Sequence, residues 1–170
     1  MYNNCMKKIY YTWPDVESQT QEILRQISLS DWRPDYVVGL TRGGLTPANL
    51  ISQYLDCPME TLKVSLRDGG EPESNLWMAE DALGSAKILI VDDINDSGAT
   101  LNWIKQDWPS GCLPGHPDWN NVWNNNIRVA VLVDNEASKS KLNIDYSAIT
   151  INKAEEDVWI VFPWEEFWKK

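Results

Sequence analysis

The sequence is short of positive charge: 15 Lys and Arg stand against 25 Asp and Glu, a formal net charge of −10. Nucleic acids and anionic membranes are gripped by clustered Lys and Arg, so neither is an expected partner. A phosphate-bearing ligand would meet an unfavourable overall field. It would have to be held by local backbone amides, one or two cations and a metal. Cysteine is scarce as well. Cys5, Cys57 and Cys112 lie far apart with no Cys-x-x-Cys spacing, which offers no zinc site and suits a reducing compartment. No apolar run is long enough to span a bilayer, and Met1 to Tyr10 is too short and too polar for a secretory signal. The expected address is the cytoplasm. No Gly-x-Gly-x-x-Gly follows an early strand, which argues against a nicotinamide-dependent oxidoreductase.

What is present is enough for one domain, residues 1–170, with a properly buried core. Ten tryptophans run from Trp13 to Trp168 without a fixed period, so they mark no repeat. Lys7 to Tyr11 reads as a strand, and Pro14-Asp15 opens a helix in which Val16, Ile23, Leu24 and Ile27 fall at helical spacing. Tyr36 to Leu40 is an apolar strand with too little alternation for a wet face. A helix over Leu45 to Leu55 and a strand over Thr61 to Leu66 follow. Lys87 to Val91 is the most apolar strand, and a helix spans Ala99 to Asp107. Ile127 to Val133, Tyr146 to Ile151 and Val158 to Val161 complete the strands. Arg67 to Ser85, with Gly69-Gly70, Pro72 and several acids, reads as a mobile loop. Trp108 to Asn126 reads as an irregular insertion. The alternation predicts an α/β fold, a mostly parallel central sheet flanked by helices.

The most informative segment is the run from Ile88 to Thr100. An apolar strand enters two adjacent acids, Asp92 and Asp93, then Asp96, then the small hydroxyl-rich loop Ser97-Gly98-Ala99-Thr100 that opens a helix. Acids at the carboxyl end of a parallel strand sit where ligands bind such sheets. The loop offers backbone amides, two hydroxyls and a helix amino terminus, which suit a phosphate dianion. The carboxylates can accept hydrogen bonds from a vicinal diol or hold the water shell of Mg²⁺. Two aspartates after a strand can also be a simple terminator, with Ser97 an ordinary helix cap. Prenyl-transfer enzymes carry a similar acid spacing on long helices, which Gly98 would break.

Two further segments carry chemistry. In Val37 to Leu45 a strand ends in Thr41-Arg42-Gly43-Gly44, where glycines let backbone approach an anion and Arg42 adds charge. Alone, such a segment is often only a tight turn. In Asp157 to Glu165, Trp159 offers a plane for a flat heterocycle, and Ile160 a backbone carbonyl. The competing view makes this an amphipathic strand with Trp159 in the core.

Together these segments resemble the type I phosphoribosyltransferases, and among them the xanthine–guanine and hypoxanthine (6-oxopurine) enzymes. The resemblance covers most of the chain, apart from the Trp108 to Asn126 insertion. It implies a fold with a small hood built from about residues 1–33 and 145–170. It also implies transfer of ribose 5-phosphate from 5-phosphoribosyl-1-pyrophosphate (PRPP) to a purine base, Mg²⁺ as cofactor and a homo-oligomer. By the same resemblance, Asp92 and Asp93 bind the ribose hydroxyls, with Asp93 also holding the metal through water. Ser97, Gly98, Ala99 and Thr100 hold the 5′-phosphate, and Asp96 shares in PRPP binding. Asp96 also acts as a catalytic residue that hydrogen-bonds a ring nitrogen of the base and guides its proton, the alternative being that it only braces the loop. Thr41, Arg42, Gly43 and Gly44 receive the pyrophosphate, Arg42 with a catalytic share. Trp159 stacks on the base and Ile160 offers it a carbonyl.

One departure stands out. Relatives in the 6-oxopurine group place a lysine after the strand that follows the acid motif, to donate to the purine carbonyl. Here Asp134-Asn135-Glu136 occupy that position, leaving Asn135, Lys139 or Lys141 as the nearest donors, or a base with a different exocyclic group. The same fold also serves regulators that bind PRPP or nucleotides without turnover. Asp96, Arg42 and Trp159 favour an enzyme.

Overall fold

The computed structural model describes residues 6–64 and 71–169. The chain runs β1 (Lys7–Tyr10), α1 (Trp13–Leu29), β2 (Tyr36–Thr41), α2 (Leu45–Leu55), β3 (Met59–Lys63) and α3 (Leu76–Leu83). It continues through β4 (Ile88–Asn95), α4 (Ala99–Gly111), α5 (Trp119–Val122), β5 (Ile127–Asn135), β6 (Tyr146–Ile151) and β7 (Val158–Val161). Five strands form one sheet in the order β3-β2-β4-β5-β6, every neighbouring pair parallel.

The strand sequences explain the layers. Successive side chains point to opposite faces, and here both faces are apolar, as a parallel sheet covered on both sides requires. Val38, Leu40, Ile88, Ile90, Val129 and Val131 pack with Met78, Ala82, Ile104 and Trp108 of α3 and α4. Val37, Leu89, Val91, Ala130 and Leu132 pack with Val16, Ile23, Ala48 and Ile51 of α1 and α2. Burying each large aliphatic side chain contributes about 1.5–3 kcal/mol. The α1 helix begins at a capping box: Asp15 N donates to Thr12 Oγ1 at 3.2 Å, and Thr12 N donates to Asp15 Oδ2 at 2.7 Å.

The structure moves several expected boundaries. β4 does not stop at Val91, because Asp92, Ile94 and Asn95 stay in register with Val131, Val133 and Asp134 of β5. The two adjacent acids are therefore the last turns of a paired strand. β3 begins just after Pro58, whose carbonyl accepts from Val37 N, and ends at Lys63. Part of the expected Arg67 to Ser85 loop is helix α3, whose Met78, Ala79 and Ala82 are fully buried. Residues 65–70, the end of the expected strand and the start of that loop with Arg67, lie outside the described residues. α4 runs on to Gly111, past Pro109. The expected insertion is folded in part: α5 buries Trp119 and Val122 beside Trp108.

The expected hood is smaller than residues 1–33 and 145–170. α1 packs on the main sheet and β6 is its edge strand. What stands apart is a two-stranded parallel ribbon, β1 with β7, in which Lys8 pairs with Trp159 and Tyr10 with Val161.

Candidate active site

The carboxyl ends of β2 and β4 open into a cavity of about 830 Å³. Segments remote in sequence meet there. Thr41, Arg42 and Gly43 come from the β2–α2 turn, Asp92 to Thr100 from β4 and the start of α4, and Trp159, Trp164 and Glu165 from β7 and the turn after it. A shallower hollow at the other end of the sheet, lined by Arg33, Asp35, Cys57 and Lys87, contains none of these motifs.

The β2–α2 turn lies against the acids because it carries no side chain where they meet. A Cβ on Gly43 would overlap the Asp93 carboxylate. Gly44 does not line the cavity; a Cβ there would run into the Val91 and Leu40 carbonyls, so its smallness seats the start of α2 on β4. That packing role stands beside the pyrophosphate contact expected from sequence. Arg42 is exposed at the mouth.

Asp93 N donates to Asp92 Oδ1 at 2.9 Å, and Ile94 N to Asp93 Oδ1 at 2.7 Å. Each carboxylate thus has one oxygen tied to backbone. Burial pushes the Asp93 carboxyl up to about 6, with the nearby Glu165 charge adding to the rise. Beyond the acids, Gly98 takes a left-handed φ of 86° at the start of α4. A side chain there would also crowd Ser138 Oγ at 2.8 Å, so glycine is required twice over. The N-cap, Gly98, has no side chain to close the helix, and only Ala99 N finds a side-chain acceptor, Ser97 Oγ at 3.3 Å, so the amino end of α4 faces the cavity alongside Ser97, Ala99 and Thr100.

Asp96 receives Lys153 Nζ at 2.9 Å, and Asn135 Nδ2 donates to the Asp96 carbonyl at 2.9 Å. Lys153 also lies 5.7 Å from the Trp159 ring centre. Asn135 Oδ1 accepts from Lys153 N at 3.0 Å and Ala137 N at 3.2 Å. The Asn135 amide thus braces the backbone of Asp96 and Lys153. Lys139 and Lys141 are exposed, and their loop is strapped to α4 through Asn102, Lys105 and Ser97. The lysine that the structure brings beside the aromatic platform is Lys153, on the segment after β6. Sequence gave it no signal, because β6 is followed by an ordinary polar connection.

Trp159 lines the cavity, while Ile160 packs in the core at 7% exposure and can reach a ligand only through its backbone. Trp164 stacks on Phe162 at 4.8 Å, and Glu165 Oε2 accepts from Phe162 N at 2.9 Å. Glu166, Trp168 and Lys169 add to the wall, and nothing in their sequence setting announced it. Five acids, Asp92, Asp93, Asp96, Glu165 and Glu166, face a cavity to which Arg42 and Lys169 bring positive charge. Among the described residues no group of three or more His, Cys, Asp or Glu forms a cage for a metal ion.

The five-stranded parallel sheet flanked by helices, with its acid-ended β4, is that of the type I phosphoribosyltransferase fold. A phosphoribosyl transferase domain matches residues 6–169, and the chain belongs to that family. The xanthine-guanine phosphoribosyltransferase of Roseobacter denitrificans is 29% identical over 144 residues, covering 79% of this chain and 69% of that protein. The protein of the same name from Cereibacter sphaeroides is 30% identical, with 79% and 70% covered. Among solved structures, a purine phosphoribosyltransferase from Pyrococcus horikoshii superposes with a TM-score of 0.65 at 25% identity, covering 95% of this chain and 96% of that one. No described helix is long and apolar enough to cross a membrane.

Proposed function

We propose that this protein transfers ribose 5-phosphate from PRPP to a purine base, releasing pyrophosphate, and that 6-oxopurines such as guanine, xanthine or hypoxanthine are its preferred acceptors. One observation carries the reading: the Thr41–Gly43 turn, the Asp92–Thr100 run and Trp159 line a single cavity. The names of the Roseobacter and Cereibacter relatives support the choice of base.

In this reading the carboxylates of Asp92 and Asp93 accept the ribose hydroxyls. The amino end of α4, with Ser97 and Thr100, holds the 5′-phosphate. Arg42 and the Thr41–Gly43 backbone take the pyrophosphate. The bond from the anomeric carbon to pyrophosphate breaks and a bond to the base nitrogen forms, through an oxocarbenium-like transition state stabilised by the surrounding acids. Asp96 hydrogen-bonds the ring nitrogen and guides its proton. Trp159 fixes the plane of the base.

An acid-rich wall around a polyanionic substrate calls for a cation, and the residues suit Mg²⁺. This ion keeps most of its waters and is usually held by one or two carboxylates together with substrate phosphates. Asp93, through water, would hold it, and the ion would neutralise the departing pyrophosphate. The test is a panel of purine and pyrimidine bases incubated with PRPP, with and without Mg²⁺, reading pyrophosphate release. Metal-dependent release with a 6-oxopurine is expected. Release with no purine at all would overturn the proposal.

A further inference from the structure

The Lys153–Asp96 pair is absent from the motifs read in the sequence, yet it is among the most constrained ion pairs in the molecule. Its side chains are only 15% and 21% exposed, whereas those of Lys7–Glu156 are both 62% exposed. Exposed pairs of that second kind contribute little, roughly 0–1 kcal/mol. Partial burial changes the balance, because a carboxylate taken partly out of water needs a partner and hydrogen bonds to stay charged. Lys153 provides the charge. The face of Trp159, 5.7 Å from the ammonium, adds a second attraction for it.

Asn135 makes the arrangement rigid. At 6% exposure it is one of the few buried polar residues. Its Nδ2 holds the Asp96 carbonyl at 2.9 Å, and its Oδ1 holds the Lys153 amide at 3.0 Å. One side chain therefore clips the backbone at both ends of the ion pair. A plain surface bridge would have no need of such a clip. Asp96, just after β4, and Trp159, on β7, both line the cavity, and Lys153 touches both of them.

We infer that Lys153 is a positioning residue: its ammonium holds the Asp96 carboxylate in place and aimed at the edge of the Trp159 platform, and the Asn135 amide fixes the distance between them. This rests on the phosphoribosyl-transfer reading of the cavity and assigns Lys153 and Asn135 a place in it. Lys153 acts through Asp96. Without the cation, the carboxylate joins four other acids in the wall and loses the contact that fixes its direction, so it turns away from the base. The loss then falls on the base half of the reaction.

The experiment is a double-mutant cycle on the full chain, using Lys153→Met, Asp96→Asn and the combined variant, with Lys153→Arg as the conservative control. Steady-state kinetics with PRPP, Mg²⁺ and the best purine are measured beside PRPP calorimetry and thermal unfolding. K153M is expected to lower kcat/KM for the base ten- to a hundredfold with PRPP affinity within about twofold, and K153R to recover most of it. In the D96N background K153M is expected to cost little more. Equal losses from K153M in both backgrounds, or a loss that follows the fall in thermal stability, would overturn the assignment. A measurement independent of turnover separates this inference from the functional reading: the ¹⁵Nζ resonance of Lys153, identified by its disappearance in K153M. It is expected to shift in D96N. A Lys153 ammonium that ignores D96N sinks the pairing even if the enzyme is active. An inactive parent enzyme with an intact pairing sinks the proposed function instead.

Discussion

Two groups of tryptophans divide this molecule. Trp108, Trp119 and Trp123 form a box under α4 and α5, with Trp108 0% and Trp119 5% exposed and ring centres 5.7 and 6.2 Å apart. Trp159, Trp164 and Trp168 line the cavity, and Trp168 is 68% exposed. The residue type is the same and the neighbours are not. The box meets Met78, Ile104 and Val122; the cavity group shares its wall with five acids. The planes among aliphatics are core, whereas those beside carboxylates stay open to the cavity, where Trp159 is proposed to carry the base.

The largest effect should come from the box. Trp108→Ala is expected to cost about 3–5 kcal/mol of stability while the folded fraction keeps its kcat/KM. Urea unfolding beside initial rates checks both, and an unchanged midpoint would break the contrast. Next in size, Asp92→Asn with Asp93→Asn should weaken PRPP binding by about 1.5–3 kcal/mol, roughly ten- to a hundredfold, without unfolding the chain. Calorimetry with PRPP and Mg²⁺ reads this, and unchanged affinity removes the ribose role from both acids. Trp159→Ala should raise the base KM by roughly ten- to a hundredfold, about 1–3 kcal/mol, with little change in stability. A large loss of stability there would place Trp159 with the box.

The smallest effect concerns pH. The folded Asp93 carboxyl titrates near 6, against 3.8 for an ordinary aspartate. The folded state therefore binds this proton more tightly than the unfolded chain. The resulting contribution to stability is complete below about pH 4 and is lost as pH rises through about 6. In Mg²⁺-free buffer Asp93→Asn should be more stable than the parent at pH 7.5, by on the order of 1–3 kcal/mol, and equal to it at pH 4. Denaturant midpoints at the two pH values measure it. A constant difference would mean that the wall tolerates its acids without cost.

Much of the site could be read in the sequence because its parts are local. Strand, acids and helix start occur in one run from Ile88 to Thr100, and the Thr41–Gly44 turn is equally compact. Helix α2 and strands β6 and β7 fall where periodicity put them. What was hidden depends on tertiary contact. Nothing adjacent to Lys153 links it to Asp96, since the partners are 57 residues apart. α3 has only eight residues and stands among acids and turn formers, so its buried Met78 and Ala82 make too short a stripe to detect. The continuation of β4 through Asp92 and Asp93 was masked by their charge. Pairing with β5 overrides their poor strand propensity. The packing role of Gly44 was hidden because glycine in an anion-binding turn and glycine under a close helix have the same spelling.

The β1–β7 ribbon has a consequence for the order in which the protein can be made. Trp159 is held in place by pairing with Lys8, so the base platform joins the two extremes of the described chain. The segments proposed to hold the phosphates need only β2, β4 and β5, all of which leave the ribosome earlier. A nascent chain halted before Val158 would already contain them, but not the Trp159 proposed to carry the base. Contacts so distant in sequence form late and slowly, so the acceptor half of the cavity is the last part of the molecule to mature.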